Sequence, residues 1–178
     1  MKYLILALLT FMSTSGEHKL LFDFNTESSL SEWRVVDDVV MGGVSSGNII
    51  ISDEGHGMFS GNVSLDNNGG FSSIRYRMNP ISVEDYTKLI LRLKGDEKSY
   101  QVRVKNSTSD MQSYINTFST SGEWEKISVT LNNLYPSFRG RKLEMPNFNH
   151  NNISEISILI ANKRNEEFKL MIDKIWLE

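Results

Sequence analysis

The chain has 178 residues, 22 acidic and 19 basic side chains, a net charge of −3 and no cysteine. The missing cysteine excludes disulfides, thiolate metal sites and cysteine nucleophiles. The mildly acidic balance, with a pI near 5.7, argues against a nucleic-acid binder, which carries a basic excess.

Taken in order, Lys2 precedes an apolar run over residues 3–12, followed by Ser13-Thr14-Ser15-Gly16. This is the pattern of an export leader cleaved after Ser15, giving a signal peptide over 1–15 and one domain over 16–178. The alternative is a buried amino-terminal strand. The run is too short for a bilayer span of about 20 residues. No cysteine follows it to carry a lipid, and it lacks the arginines of a mitochondrial transit peptide.

From residue 19 the chain reads as strands and turns. Alternating apolar and polar residues predict strands over 19–25, 33–36, 48–52, 58–65, 71–78, 89–94, 100–105, 113–119, 124–131, 153–161 and 168–177. Asn67-Asn68-Gly69-Gly70 reads as a hairpin turn between two of them. Short helical turns are expected over 83–86 and 131–135. The stretch 131–152, with Pro136, Phe138 and Pro146, reads as an irregular loop crossing one end of the fold. The fold class is therefore all-β, a two-sheet sandwich or jelly roll.

The stretch 33–47, WRVVDDVVMGGVSSG, stands out. It starts as a strand, turns at Met41-Gly42-Gly43, and closes on small polar residues that include Ser45. Glycine pairs admit positive φ or a close approach by another chain segment. Phe138-Arg139-Gly140 is the expected segment, with Arg139 reaching Asp37 or Asp38 in a bidentate pair. Asp37, Asp38, Met41, Gly42, Gly43, Ser45, Arg139 and Gly140 then form one candidate binding surface. One of the two aspartates is expected to cap the loop through its backbone amides.

This stretch resembles the signature of the complex I intermediate-associated protein 30 family, a Trp followed by Asp-x-Val-Met-Gly-Gly-x-Ser. Further blocks follow in family order. They are residues 59–65 with 67–71, Gly95-Asp96 with Tyr100, Phe118, Trp124, Phe138-Arg139-Gly140-Arg141, and 168–177. The sequence departs from the family at Glu97-Lys98-Ser99, where many members have a Gly-containing turn. The resemblance implies a galactose-binding-like jelly roll whose first and last strands are neighbours. It also implies a chaperone-like factor that binds unfolded or partly assembled subunits of respiratory complex I. Because members act in the mitochondrial matrix, a working leader would place this chain across the membrane from that role.

A second candidate surface follows from alternation. Arg75 and Arg77 share one face of their strand, Arg92 and Lys94 one face of theirs, and Arg103 and Lys105 one face of theirs. If the three strands share a sheet, these cations form one outer face, with Tyr114, Asn116 and Phe118 beside them. A solvated face with ordinary gatekeeping charges is the alternative.

Enzyme chemistry finds little support. His18, His56 and His150 are scattered, without metal-ligand spacing, and adjacent Asp37 and Asp38 point to opposite faces if both lie on a strand. No nucleophile elbow, phosphate loop or dinucleotide fingerprint occurs, and no cofactor is expected. Asp23 and Asp173 are the candidate carboxylates for a calcium site; an ion pair between Asp173 and a neighbouring lysine is the alternative. Three functions stay open: the assembly factor, an exported carbohydrate- or small-ligand-binding module, and an unrecognised enzyme. The resemblance implies respiratory complex I subunits as protein partners, the fold leaves carbohydrate open, and composition and pattern leave no nucleic-acid partner and no integral membrane segment.

Overall fold

A computed structural model describes residues 18–178; the leader assigned to residues 1–15 lies outside the described residues. Thirteen strands follow in order. They are β1 (Lys19–Asp23), β2 (Trp33–Asp37), β3 (Ser46–Ile51), β4 (Gly57–Val63), β5 (Ser72–Ser82), β6 (Lys88–Lys94) and β7 (Ser99–Lys105), then β8 (Ser113–Ser119), β9 (Trp124–Thr130), β10 (Tyr135–Phe138), β11 (Arg141–Lys142), β12 (Asn152–Ile160) and β13 (Glu166–Leu177). Among the described residues the helical pieces are three 3-10 turns, at Asp38–Met41, Asp66–Asn68 and Leu131–Asn133.

Two antiparallel sheets result. The first runs β3-β4-β13-β6-β9, with β1 also on β13; the second runs β11-β10-β8-β7-β12-β5-β2. Strand β13 is long enough to pair β4 along Glu166–Ile172 and β1 along Lys174–Leu177. First and last strands are thus neighbours. Alternation drives the packing: Leu89, Leu91 and Leu93 of β6, Val102 and Val104 of β7, and Ile156, Ile158 and Ile160 of β12 are all fully buried in one continuous core. Each buried leucine or isoleucine contributes about 1.5–3 kcal/mol. The architecture is a jelly-roll β-sandwich of the galactose-binding-like kind.

Two expectations are corrected. Asn67-Asn68-Gly69-Gly70 does not close a hairpin, because β4 belongs to the first sheet and β5 to the second. The residues do take turn geometry, with positive φ at Asn67 (55°), Asn68 (59°) and Gly70 (130°). The chain leaves the turn toward the other sheet, where Asp38 takes the amides of Gly70 and Phe71. Residues 131–152 are also not one irregular loop. Tyr135–Phe138 pairs with β8, and Arg139 (φ 49°) and Gly140 (φ 75°) make a tight turn into β11. Buried Phe148, whose amide donates to the Leu134 carbonyl (2.9 Å), pins the remainder.

Asp96 ties the sheets together. Its carboxylate accepts the hydroxyl of buried Tyr100 on β7 (2.9 Å), the Lys169 amide on β13 (2.9 Å) and the Lys98 ammonium (2.8 Å). Burial first, and the Asp96 charge second, push the Tyr100 hydroxyl far above the usual phenol range. Glu97, in the turn where the sequence departs from the family it resembles, sits at φ 62°. A left-handed non-glycine residue costs about 1–2 kcal/mol, against about 0.4–1 kcal/mol of extra unfolded-state entropy for glycine. Glu97→Gly is therefore expected to stabilise the protein by about 0.5–1 kcal/mol, read as a rise of a few degrees in melting temperature; a fall would show that Glu97 makes compensating contacts.

Candidate functional site

The signature stretch folds around a buried carboxylate. After Trp33, packed against Tyr76 at 5.1 Å between ring centroids, β2 ends at Asp37 and the chain makes a 3-10 turn. Asp38, with no solvent exposure, accepts the Ser45 amide (3.0 Å), the Ser45 hydroxyl, and the amides of Gly70 (2.6 Å) and Phe71 (3.1 Å). Burial alone would raise its pKa. The donors, led by the Ser45 hydroxyl, outweigh burial and hold the carboxyl below the usual range. Ser45 Oγ in turn accepts the Ser64 amide (2.9 Å). Asp37 bridges the sheets, taking the Ser72 hydroxyl of β5 (2.6 Å) and the Gly47 amide of β3 (2.9 Å).

The same arrangement gives each glycine a different job. A Cβ on Gly43 would overlap the Asp38 carboxylate, and one on Gly69 would crowd it. Gly42 ends the turn at φ 92° and faces open space. The expected partner of the pair, Phe138-Arg139-Gly140, is elsewhere: its hairpin lies at the β11 edge of the second sheet, whereas β2 forms the opposite edge. Arg139 lies over the Phe138 ring (5.3 Å) and makes no ion pair with Asp37 or Asp38. Arg139 and Gly140 are therefore not part of the Met41 surface. What the caged loop exposes is apolar: Val39, Val40, Met41 and Val44 are 60%, 73%, 60% and 53% exposed. Leu65, also exposed, lies against Gly70.

The cationic face is also rearranged. Strands β5 and β7 both flank β12 in the second sheet, but β6 belongs to the first, so Arg92 and Lys94 are on another surface. Tyr114 and Phe118 are buried in the core, because they pair with Val104 and Tyr100 on the inward side of β7. One row crosses the outward face of the second sheet: Arg34, Arg75, Ser157, Arg103, Ile115 and Tyr135, in register over six strands. The next row pairs Arg77 with Glu155 (2.9 Å). Arg34, Gln101 and Tyr135 escaped the sequence reading, since alternation gives a residue's face and not its neighbouring strand.

Asp173 does not suit calcium. Arg92 donates to it at 2.7 Å, with Lys174 at 3.7 Å and His56 at 3.6 Å, while Asp23 lies 4.0 Å from Lys174. A carboxylate paired with both Arg92 and Lys174 is already neutralised. No cluster of three or more potential metal-ligating side chains occurs among the described residues.

Two stability tests follow. Asp38→Asn puts an amide where four donors converge and should cost about 2–4 kcal/mol at neutral pH. Because the folded pKa is depressed, this contribution is complete above the unfolded value of about 3.9 and fades as pH falls through the folded pKa. Urea melts of both proteins should thus converge below pH 4; a gap independent of pH would contradict the ionised cage. Gly43→Val should destabilise more than Gly42→Ala in the same melts, since only Gly43 abuts Asp38.

Comparison with known proteins gives the family and the fold. The family model of complex I intermediate-associated protein 30 matches residues 22–172. The chain is 23% identical over 188 aligned residues to "Complex I intermediate-associated protein 30, mitochondrial" of Drosophila melanogaster, covering 92% of this chain and 64% of the relative. It is 24% identical to the probable counterpart of Caenorhabditis briggsae, covering 90% and 54%. The chain thus spans less than two thirds of the relatives' length. Among solved structures, the family 11 carbohydrate-binding module of the Clostridium thermocellum cellulase Lic26A-Cel5E superposes with a TM-score of 0.67 at 17% identity, covering 92% of this chain and 95% of the module. That likeness is one of fold. With its signature loop, order of blocks and matched length, the chain belongs to the complex I intermediate-associated protein 30 family.

Proposed function

We propose that this protein is a non-enzymatic binding protein that holds unfolded or partly assembled subunits of respiratory complex I. The observation that carries the reading is the apolar patch at Val39, Val40, Met41 and Val44, displayed on the loop that Asp38 fixes from beneath. Solvent-facing valines and methionine on an ordered loop gain nothing for this fold, and a contiguous apolar patch is the mark of a protein contact. A flexible thioether at its centre suits partners of varied shape. Family membership supports the identity of the partner.

A second reading is an exported carbohydrate- or small-ligand-binding module. The fold likeness to a carbohydrate-binding module and the leader pattern over residues 1–15 support it. The names of the two relatives place them in mitochondria. No helix among the described residues is long and apolar enough to cross a membrane.

The test is capture of complex I subunits, identified by mass spectrometry, on the immobilised protein. Met41→Ala should leave the melting temperature nearly unchanged and weaken capture by roughly five- to a hundredfold, the usual effect of removing an interface anchor of about 1–3 kcal/mol. Normal capture by the variant would remove the Met41 loop as the contact, whereas a glycan array with one clear hit and no subunit captured would reject the assembly reading.

A further inference from the structure

The outward face of the second sheet holds an unneutralised cationic row. Arg34, Arg75 and Arg103 lie at one level across β2, β5 and β7, with Ser157 of β12 between the last two. Among the described residues none of the three forms an ion pair, whereas the neighbouring row spends Arg77 on buried Glu155. Ser157 is 5% exposed although it points away from the core, so the arginine stems roof it over. Gln101 Oε1 holds Arg103 by accepting from Nε (3.2 Å) and Nη2 (2.6 Å), leaving its remaining N–H groups undirected. Burial first, and the Arg75 charge second, lower Arg103 to about 10, with Tyr135 partly opposing. Two like charges drawn together over a desolvated floor, without an anion, describe a receptor and not an internal salt bridge.

The dimensions narrow the occupant. Strands lie about 4.8 Å apart, so Arg34 to Arg103 spans roughly 14 Å, more than one oxyanion can cover. The ligand therefore carries successive anionic groups along an extended chain. Tyr135 is the one aromatic side chain in the row, which gives little platform for stacking neutral sugar rings. We infer that this arginine row receives the carboxylates of an acidic peptide segment of the protein partner, a second contact beside the apolar loop. The inference rests on the reading of this protein as one that binds other proteins. Guanidinium forks match carboxylates two bonds at a time, which makes the row selective for Asp and Glu over neutral chains.

Fluorescence anisotropy with a labelled hexaglutamate peptide tests it, with hexaglutamine, inorganic phosphate and polygalacturonate as comparison probes. Hexaglutamate should bind and hexaglutamine should not, and the binding should weaken as salt is raised. Arg75→Gln and Arg103→Gln should each weaken it about tenfold or more. Lys126→Gln on the first sheet should change it less than about twofold. Arg34→Gln, at an exposed position, carries the test if the Arg103 variant fails to melt cooperatively. Absence of hexaglutamate binding, or binding indifferent to Arg75 and Arg34, overturns the inference. So does polygalacturonate or phosphate binding at these arginines without the peptide, which would make the row a glycan or small-anion site. Met41→Ala should leave hexaglutamate binding intact. Failure of the peptide with Met41-dependent subunit capture preserved therefore rejects the arginine row alone, and the converse rejects the proposed function.

Discussion

The Asp38 carboxylate joins three segments that are far apart in the chain: the 3-10 turn after β2, the start of β3 and the crossing between the sheets at Gly70 and Phe71. A buried carboxylate without partners would be among the most costly groups in a fold. Here four donors converge on it, three of them backbone amides that would otherwise need partners of their own. The signature residues follow from that one demand. Asp38 supplies the charge, Ser45 the hydroxyl and amide, and Gly43 and Gly69 the space. Asp37, pointing the other way, ties β5 to β3. Adjacent aspartates that look like a catalytic pair are two structural clamps with separate donors.

That constraint separates what a family shares from what a site does. Asp96, the other motif carboxylate, is likewise a tie between β7 and β13. Asp37, Asp38 and Asp96 hold the sandwich together where its turns cross from one sheet to the other. The groups free to meet a partner are instead the apolar tip of the caged loop and the arginine row. The first has side chains with no role in the core, and the second has charges with no internal counterion.

Much of the fold was legible in the sequence because strand alternation records burial directly. Leu89, Leu91 and Leu93 mark a core face whichever strands lie beside them. Strand adjacency leaves no such record. Nothing in Arg92 distinguishes its sheet from that of Arg103, and Tyr114 is indistinguishable from a surface tyrosine until its register with Val104 is known. The turn at 67–70 shows a related limit. Its residues declare positive φ, but which sheet the chain enters next is decided by Asp38, some thirty residues earlier. For the same reason the expected contact of Arg139 with Asp37 or Asp38 fails: nothing local to Phe138-Arg139-Gly140 tells which edge of the sheet it occupies, and the strand order puts it at the far one.

The central claim is that one ionised carboxylate holds the apolar loop in its displayed form. Hydrogen–deuterium exchange on the wild type and Asp38→Asn reads this directly, because the Ser45, Gly70 and Phe71 amides donate to that carboxylate. The account predicts slow exchange at all three in the wild type and fast exchange in the variant, with the β6, β12 and β13 amides still protected. Equal protection of the three amides in both proteins would contradict it.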